Sequence, residues 1–233
     1  PGTPAPKGAI KALSKKMKTD SLGYTVALGL PFLRNKISEL YKKWYNLELN
    51  PDRVIVTSGS SGVFLLAFTS LFDKGSKVGI GAPGYPSYRQ ILKALDIEPI
   101  IIQTTSEDKF QITSNSIFDR KLDAVLVASP ANPTGSMLSY GPLKALIEKC
   151  NSEEINFISD EIYHGVEYKE KAVSALQITD DCYVINSFSQ YFSMTGWRIG
   201  WMVVPESHVR QVERLAQNMF ICAPHASQIA AVG

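Results

Sequence analysis

Hydrophobic positions change their spacing along the 233-residue chain, and the changes mark its elements. PGTPAP at 1–6 is an extended, proline-rich lead, and 7–18 sets lysines among Ala, Ile and Leu, which predicts a basic amphipathic helix ending near Asp20. Residues 24–29 read as a loop. Leu33, Ile37, Leu40, Tyr41 and Trp44 then recur at helical spacing behind Pro31, a residue suited to a first helical turn, so a helix should run to about Tyr45. From Arg53 the pattern becomes short apolar runs: VIVT at 54–57, VGIGA at 78–82, PIIIQ at 99–103, AVLVAS at 124–129, INFIS at 155–159, YVINSF at 183–188 and IGWMVV at 199–204. Amphipathic stretches at 64–72, 88–95, 143–150 and from about 206 separate most of them and predict helices.

Strands that are apolar on both faces and alternate with helices describe an α/β fold, a mostly parallel sheet of seven strands with helices on both faces. No internal repeat or low-complexity linker interrupts it. Composition agrees with one large globular unit, 45% hydrophobic and 20% charged. A net charge of +2 gives no field that would draw nucleic acid or an anionic membrane, and the lysines of 7–18 read as a solvated helix face. Cys150, Cys182 and Cys222 form no C-x-x-C pair and are expected as reduced packing residues. No metal-ligand spacing stands out. No run approaches a membrane span and no signal peptide is visible, so the expected location is cytoplasmic. The chain starts at Pro1 and stops inside the uncapped apolar run SQIAAVG, which suggests a piece cut at both ends.

In such sheets ligands bind beyond the carboxyl ends of the strands, so chemistry is sought in the residues that follow them. Strand 54–57 leads into Ser58, Gly59, Ser60, Ser61 and Gly62, a turn that could hold an anion at a helix N-terminus or simply cap the helix with serine. Strand 78–82 leads into APGYPSY, which holds Tyr85 in a rigid loop where it could stack on a flat heterocycle or merely pack. Strand 124–129 leads into SPANPTG, where Asn132 could make an Asx-turn or offer an amide donor to a phenolate. Strand 155–159 leads into DEIY, and the carboxylate of Asp160, emerging from an apolar run, calls for a structural arginine or a cationic ligand nitrogen. Last comes SFSQYFSMTGWRIG at 187–200.

The order of these segments, a small-residue turn, P-G-Y-P, N-P-T-G, D-E-I-Y and S-F-S-x followed by G-W-R-I-G, resembles the class I/II aminotransferases across nearly the whole chain. These are pyridoxal 5′-phosphate enzymes of fold type I, similar to aspartate aminotransferase. The resemblance implies a PLP-binding large domain over 31–233, an N-terminal arm over 1–30, and a smaller C-terminal domain, with its carboxylate-binding arginine, that has no counterpart in this sequence. It implies transfer of an amino group between an amino acid and a 2-oxo acid. Asp160 would pair with the pyridine nitrogen, Asn132 and Tyr163 with the ring's 3-oxygen, and Ile162 and Tyr85 would cover the two ring faces. Gly59, Ser60, Ser61, Ser187 and Arg198 would hold the phosphate. Tyr24 would reach the neighbouring subunit's phosphate site, which implies a homodimer.

One position departs from the family wording: Gln190 stands where the Schiff-base lysine belongs. An amide neither attacks an aldehyde nor shuttles a proton near neutrality, and 187–200 contains no lysine to substitute for it. Three explanations remain open: a single altered position in a competent enzyme, a natural homologue without transamination, and a natural one that uses PLP differently. A nicotinamide dehydrogenase would share the strand and helix alternation, but Gly59-Ser60-Ser61-Gly62 does not have the G-x-G-x-x-G wording. A non-catalytic PLP-binding protein accommodates Gln190.

Overall fold

The apolar runs become seven strands, β1 (Val54–Thr57), β2 (Lys77–Ala82), β3 (Glu98–Gln103), β4 (Ala124–Ala128), β5 (Asn156–Asp160), β6 (Tyr183–Ser187) and β7 (Gly200–Val203), in a computed structural model that describes residues 2–233. Pro1 of the expected lead lies outside the described residues. The strand order is β1-β7-β6-β5-β4-β2-β3. β2 pairs in parallel with β3 and β4, and β4 with β5, whereas β1 and β7 are antiparallel. The sheet is therefore mixed and mostly parallel among the registered pairs, as the pattern predicts. Consecutive residues of β1, β5, β6 and β7 are almost all buried, which for alternating side chains means that both faces are covered. β3 ends the strand order and is largely open to solvent.

Among the described residues seven α-helices accompany the strands: α1 (Lys7–Lys16), α2 (Pro31–Tyr45), α3 (Gly59–Leu71), α4 (Pro86–Ala94), α5 (Tyr140–Ser152), α6 (Val209–Phe220) and α7 (His225–Val232). Pro31 and Pro86 occupy first-turn positions, where a missing N–H costs nothing. Expected boundaries move by a few residues at most places. The helix expected from 64 begins at Gly59, directly after β1, and β5 extends by one residue to take in Asp160. α7 was not predicted, because its eight residues are too short for a periodic signal and no side chain caps its start. Among the described residues no helix is long and apolar enough to cross a membrane.

The chain divides into two compact units, residues 1–66 with 185–233, and residues 67–184. In the first, Trp201 of β7 is fully buried beside Phe188 and donates its indole N–H to Tyr41 Oη at 3.4 Å. The buried guanidinium of Arg53 donates to Val204 O at 2.8 Å, and that of Arg34 to Val54 O at 3.0 Å, so two buried cations cap backbone carbonyls beside β1 and β7. Gln228 of α7 is fully buried: its Oε1 accepts the Leu30 N–H at 2.7 Å, and its Nε2 donates to Thr25 Oγ1 at 3.0 Å and to Ala223 O at 2.9 Å. One amide thus ties the chain before α2 to the chain around α7. The second unit is the parallel layer β3-β2-β4-β5 with α4 and α5, its core rich in β-branched residues such as Ile80, Ile102, Val125 and Ile158.

The Gln228 bridge generates a stability prediction. Gln228→Leu keeps the volume but leaves the Leu30 N–H and the Ala223 carbonyl without partners, so the unit should lose about 2 to 4 kcal/mol. Urea unfolding should show a lower midpoint at an unchanged slope, and an unchanged midpoint would refute this role.

Candidate active site

Parallel pairing aligns the ends of β4 and β5, with Ala128 opposite Asp160, so the segments that leave them begin side by side. The Ser129 N–H donates to Asp160 O at 3.2 Å. Beyond it, the 129–136 loop folds on itself, with Gly135 N–H donating to Ala131 O at 2.7 Å and Ala131 N–H to Ser136 O at 2.9 Å. Buried Gln111 reaches under this loop and donates to Ala128 O at 3.1 Å and Ser136 O at 2.9 Å. The result is a fixed amide: Asn132 Nδ2 donates to the Tyr163 hydroxyl at 3.3 Å. Burial raises the Tyr163 phenol above its ordinary range, the Asn132 hydrogen bond opposes that, and the charge of Asp160 adds to it.

Asp160 itself is 3% exposed. Its partners inside the protein are neutral: Tyr88 donates its hydroxyl to Oδ2 in a short hydrogen bond, and the Ile162 N–H donates to Oδ1 at 3.1 Å. Desolvation pushes the carboxyl up to about 6; the Tyr88 and Ile162 hydrogen bonds work against the shift and the charge of Glu161 with it. Of the two expected alternatives, a structural arginine or a cationic ligand nitrogen, the first is not what holds Asp160: its side-chain donor is a tyrosine. Tyr85, at the start of α4, is 41% exposed and meets Tyr88 edge to face at 5.5 Å. Ile162 is half-buried between Glu161 and Tyr163.

Glu161 and His164 lie behind this surface, 0% and 1% exposed. Glu161 Oε1 accepts from Ser159 Oγ and Ser174 Oγ at 3.1 Å and from the Ala175 N–H at 2.8 Å, while His164 Nε2 lies 2.8 Å from Ser129 O. These bonds hold the 160–164 segment from its inner side. Gln111, Tyr88, Glu161 and His164 all escaped the sequence analysis, although Tyr88 sits inside the APGYPSY segment, three residues after Tyr85 on the first turn of a helix.

The first unit carries the other predicted residues. β1 passes straight into α3 through Gly59, whose φ of +75° suits glycine. A Cβ there would lie 2.5 Å from Arg198 Nη2 and 2.9 Å from its Cζ, so the guanidinium rests against bare backbone. Arg198 is exposed, has a left-handed backbone at φ +50°, and donates from Nη1 to Thr195 O at 2.9 Å. Ser60 is half-buried and Ser61 exposed in the first turn of α3. Backbone amides at a helix start beside a guanidinium form a setting for an anion. The Ser187 hydroxyl is 1% exposed, 3.0 Å from Ser189 Oγ and 3.1 Å from Ile199 O. Gln190 is half-buried and its carbonyl accepts the Ser193 N–H at 3.0 Å. Aromatic side chains flank it: Phe188 packs on Phe192 and Trp201, and Tyr191 sits edge to face on Trp44 at 5.2 Å. Tyr24 is 83% exposed. Among the described residues no group of three or more His, Cys, Asp or Glu could hold a metal ion.

Burial of Asp160 makes the ligand-free protein sensitive to pH. Its folded carboxyl, near 6, binds a proton that the unfolded carboxyl, near the model-compound 3.8, has released, so stability falls as pH rises between those values. Above about pH 6 the ionised group costs about 3 kcal/mol. Asp160→Asn should therefore stabilise the ligand-free protein above pH 6 and flatten the slope of unfolding free energy between pH 4 and 6. Chemical denaturation across that range checks it, and parallel pH profiles for the two proteins would refute the assignment.

The sequence model of the family described as aminotransferase class I and II matches residues 2–233. The chain is 43% identical to valine–pyruvate aminotransferase of Mycobacterium tuberculosis, aligned over 100% of this chain and 61% of the relative. It superposes with a TM-score of 0.97 on a crystal structure of an aminotransferase from Mycobacterium tuberculosis, at 42% identity, over 100% of this chain and 65% of that one. A solved chain from Silicibacter pomeroyi assigned as an aminotransferase gives 59% identity and a TM-score of 0.93, over 100% and 60%. The chain spans about three-fifths of the length of the curated relatives it matches. With the strand-end residues Asp160, Asn132 and Tyr163 grouped in one unit and Gly59 and Arg198 in the other, the chain belongs to the class I and II aminotransferase family.

Proposed function

We propose that the protein is a pyridoxal-phosphate-dependent aminotransferase that moves an amino group between an amino acid and a 2-oxo acid, and that Gln190 impairs this chain. The observation that carries the proposal is Asp160, a buried carboxylate held by neutral donors and so left with its charge uncompensated. Pyridoxal phosphate, the family's cofactor, supplies when bound an electron-withdrawing ring that stabilises negative charge on a substrate carbon.

The non-covalent contacts fit that group. Asp160 would hold a protonated ring nitrogen. Asn132 and Tyr163, already joined at 3.3 Å, would donate to the ring's 3-oxygen, with Tyr85 and Ile162 on the ring faces. Gly59, Ser60, Ser61 and Arg198 would hold the phosphate, supported by the close approach of the guanidinium to Gly59. Ser187 would join them by turning its hydroxyl from Ser189 and Ile199. Gln190 does not fit the remaining task, since its amide provides no amine to bind the cofactor covalently or to move the substrate proton.

Residues 1–30 would serve as an arm and 31–233 as the cofactor-binding domain, in a homodimer where exposed Tyr24 serves the partner's phosphate site. We place the protein in the cytoplasm, with reduced cysteines. The name of the Mycobacterium tuberculosis relative makes valine with pyruvate the first pair to assay.

Gln190 also favours a second reading, a PLP-binding homologue that does not transaminate. One substitution separates the two. Gln190→Lys, in a chain carrying the C-terminal domain that the family resemblance implies, should retain the cofactor's mass after borohydride and exceed the unsubstituted protein in turnover by on the order of 10² to 10⁴. Reversible cofactor binding without turnover on a broad amino and oxo acid panel would favour the second reading, and failure of both proteins to bind the cofactor would end both.

A further inference from the structure

We infer that Tyr88 is the positioning residue of the ring-binding surface, setting the Asp160 carboxylate with its hydroxyl and the Tyr85 ring with its edge. The inference rests on the reading of Asp160 as the partner of the cofactor's ring nitrogen. Tyr88 is 5% exposed and lies on the first turn of α4, where its N–H donates to Tyr85 O at 3.3 Å and its ring meets that of Tyr85 at 80°. The same side chain ends on Asp160 Oδ2, while the Ile162 N–H holds Oδ1 at 3.1 Å. Two donors on two oxygens fix the plane of the carboxylate. One phenol therefore couples the group that would meet the ring's nitrogen to the group that would cover its face.

The chemistry of the donor matters as much as its position. An arginine here would orient Asp160 and also neutralise it, leaving little attraction for a ligand cation. A phenol orients without neutralising. Tyr88 stays a neutral donor because burial first, and then the charge of Asp160, hold its proton well above the ordinary phenol range. The titratable groups that act on Asp160 are Tyr88, Glu161 and, more weakly, Tyr163. Of these, Tyr88 favours the ionised form through its hydrogen bond, while Glu161 opposes it. Without the Tyr88 hydroxyl the carboxyl would take up a proton more readily and lose its hold on a cationic N–H.

The experiment compares the full-length protein with its Tyr88→Phe variant, which keeps the ring against Tyr85. Carbon-13 labelled aspartate reports the titration of Asp160, and two probes are bound at about pH 7: pyridoxal phosphate, and its analogue with C–H in place of the ring nitrogen. The unsubstituted protein should prefer pyridoxal phosphate. Tyr88→Phe should raise the Asp160 midpoint and reduce that preference about tenfold, the worth of one hydrogen bond to a charged group. An unchanged midpoint, or an unchanged preference, overturns the inference while leaving the reading of Asp160 in place. If the unsubstituted protein shows no preference, the reading of Asp160 fails and this inference with it. Should the variant not fold, the unsubstituted protein still decides: a downfield Tyr88 hydroxyl proton that moves as Asp160 titrates supports the inference, and an invariant one overturns it.

Discussion

Burial makes the Asp160 carboxyl costly to ionise in the unit formed by 67–184, and its surroundings are organised to hold it. Parallel pairing of β4 with β5 puts it at a strand end within an apolar layer, where water cannot solvate it. Tyr88 and the Ile162 N–H lessen the cost without removing the charge. Behind them, Glu161 and His164 tie the segment to Ser174, Ala175 and Ser129, so the carboxylate cannot swing out to solvent. A protein selected only for stability would have a leucine or an asparagine here. Retaining the acid is a local sacrifice that a cationic ligand would reverse.

The unit formed by 1–66 and 185–233 solves a different problem, that of bringing a cation against the start of a helix. Steric absence does this. Gly59 lacks the Cβ that would push Arg198 away, and Gly200 lacks the one that would lie 3.0 Å from Asn186 O and from the Gly59 carbonyl carbon. Backbone approaches backbone, and the guanidinium settles on the start of α3. The left-handed backbone at Arg198 turns the chain between the 3-10 turn at 195–197 and β7. Strain at one residue thus lies where the binding chemistry is expected.

These particulars explain which features could be read in the sequence. Strands were legible because burial on both faces leaves uninterrupted apolar runs, and the site segments were legible because turns and strand ends use distinctive residues: Tyr85 between Gly84 and Pro86, Asn132 before Pro133, Asp160 after Ser159. Tyr88 was not, because its significance is a hydrogen bond across 72 residues, and locally it is one more aromatic on a helix. Gln111 and Gln228 were missed for the same reason, since a polar residue buried by tertiary contact looks like a surface residue in its own segment. α7 was missed because its eight residues are too short to show a periodic face, and two of its buried positions are polar: Gln228, and Ser227, which donates to Trp197 O at 2.6 Å.

Gln190 stands at a position fixed by its neighbours. Its segment is held by its neighbours, with Ser189 donating its N–H to Ser187 Oγ on one side and Tyr191 and Phe192 packed on Trp44 on the other. None of this packing depends on the side chain at 190. Position and chemistry are therefore separable here: the aromatic neighbours set where residue 190 stands, and the residue's own end group sets what it can do.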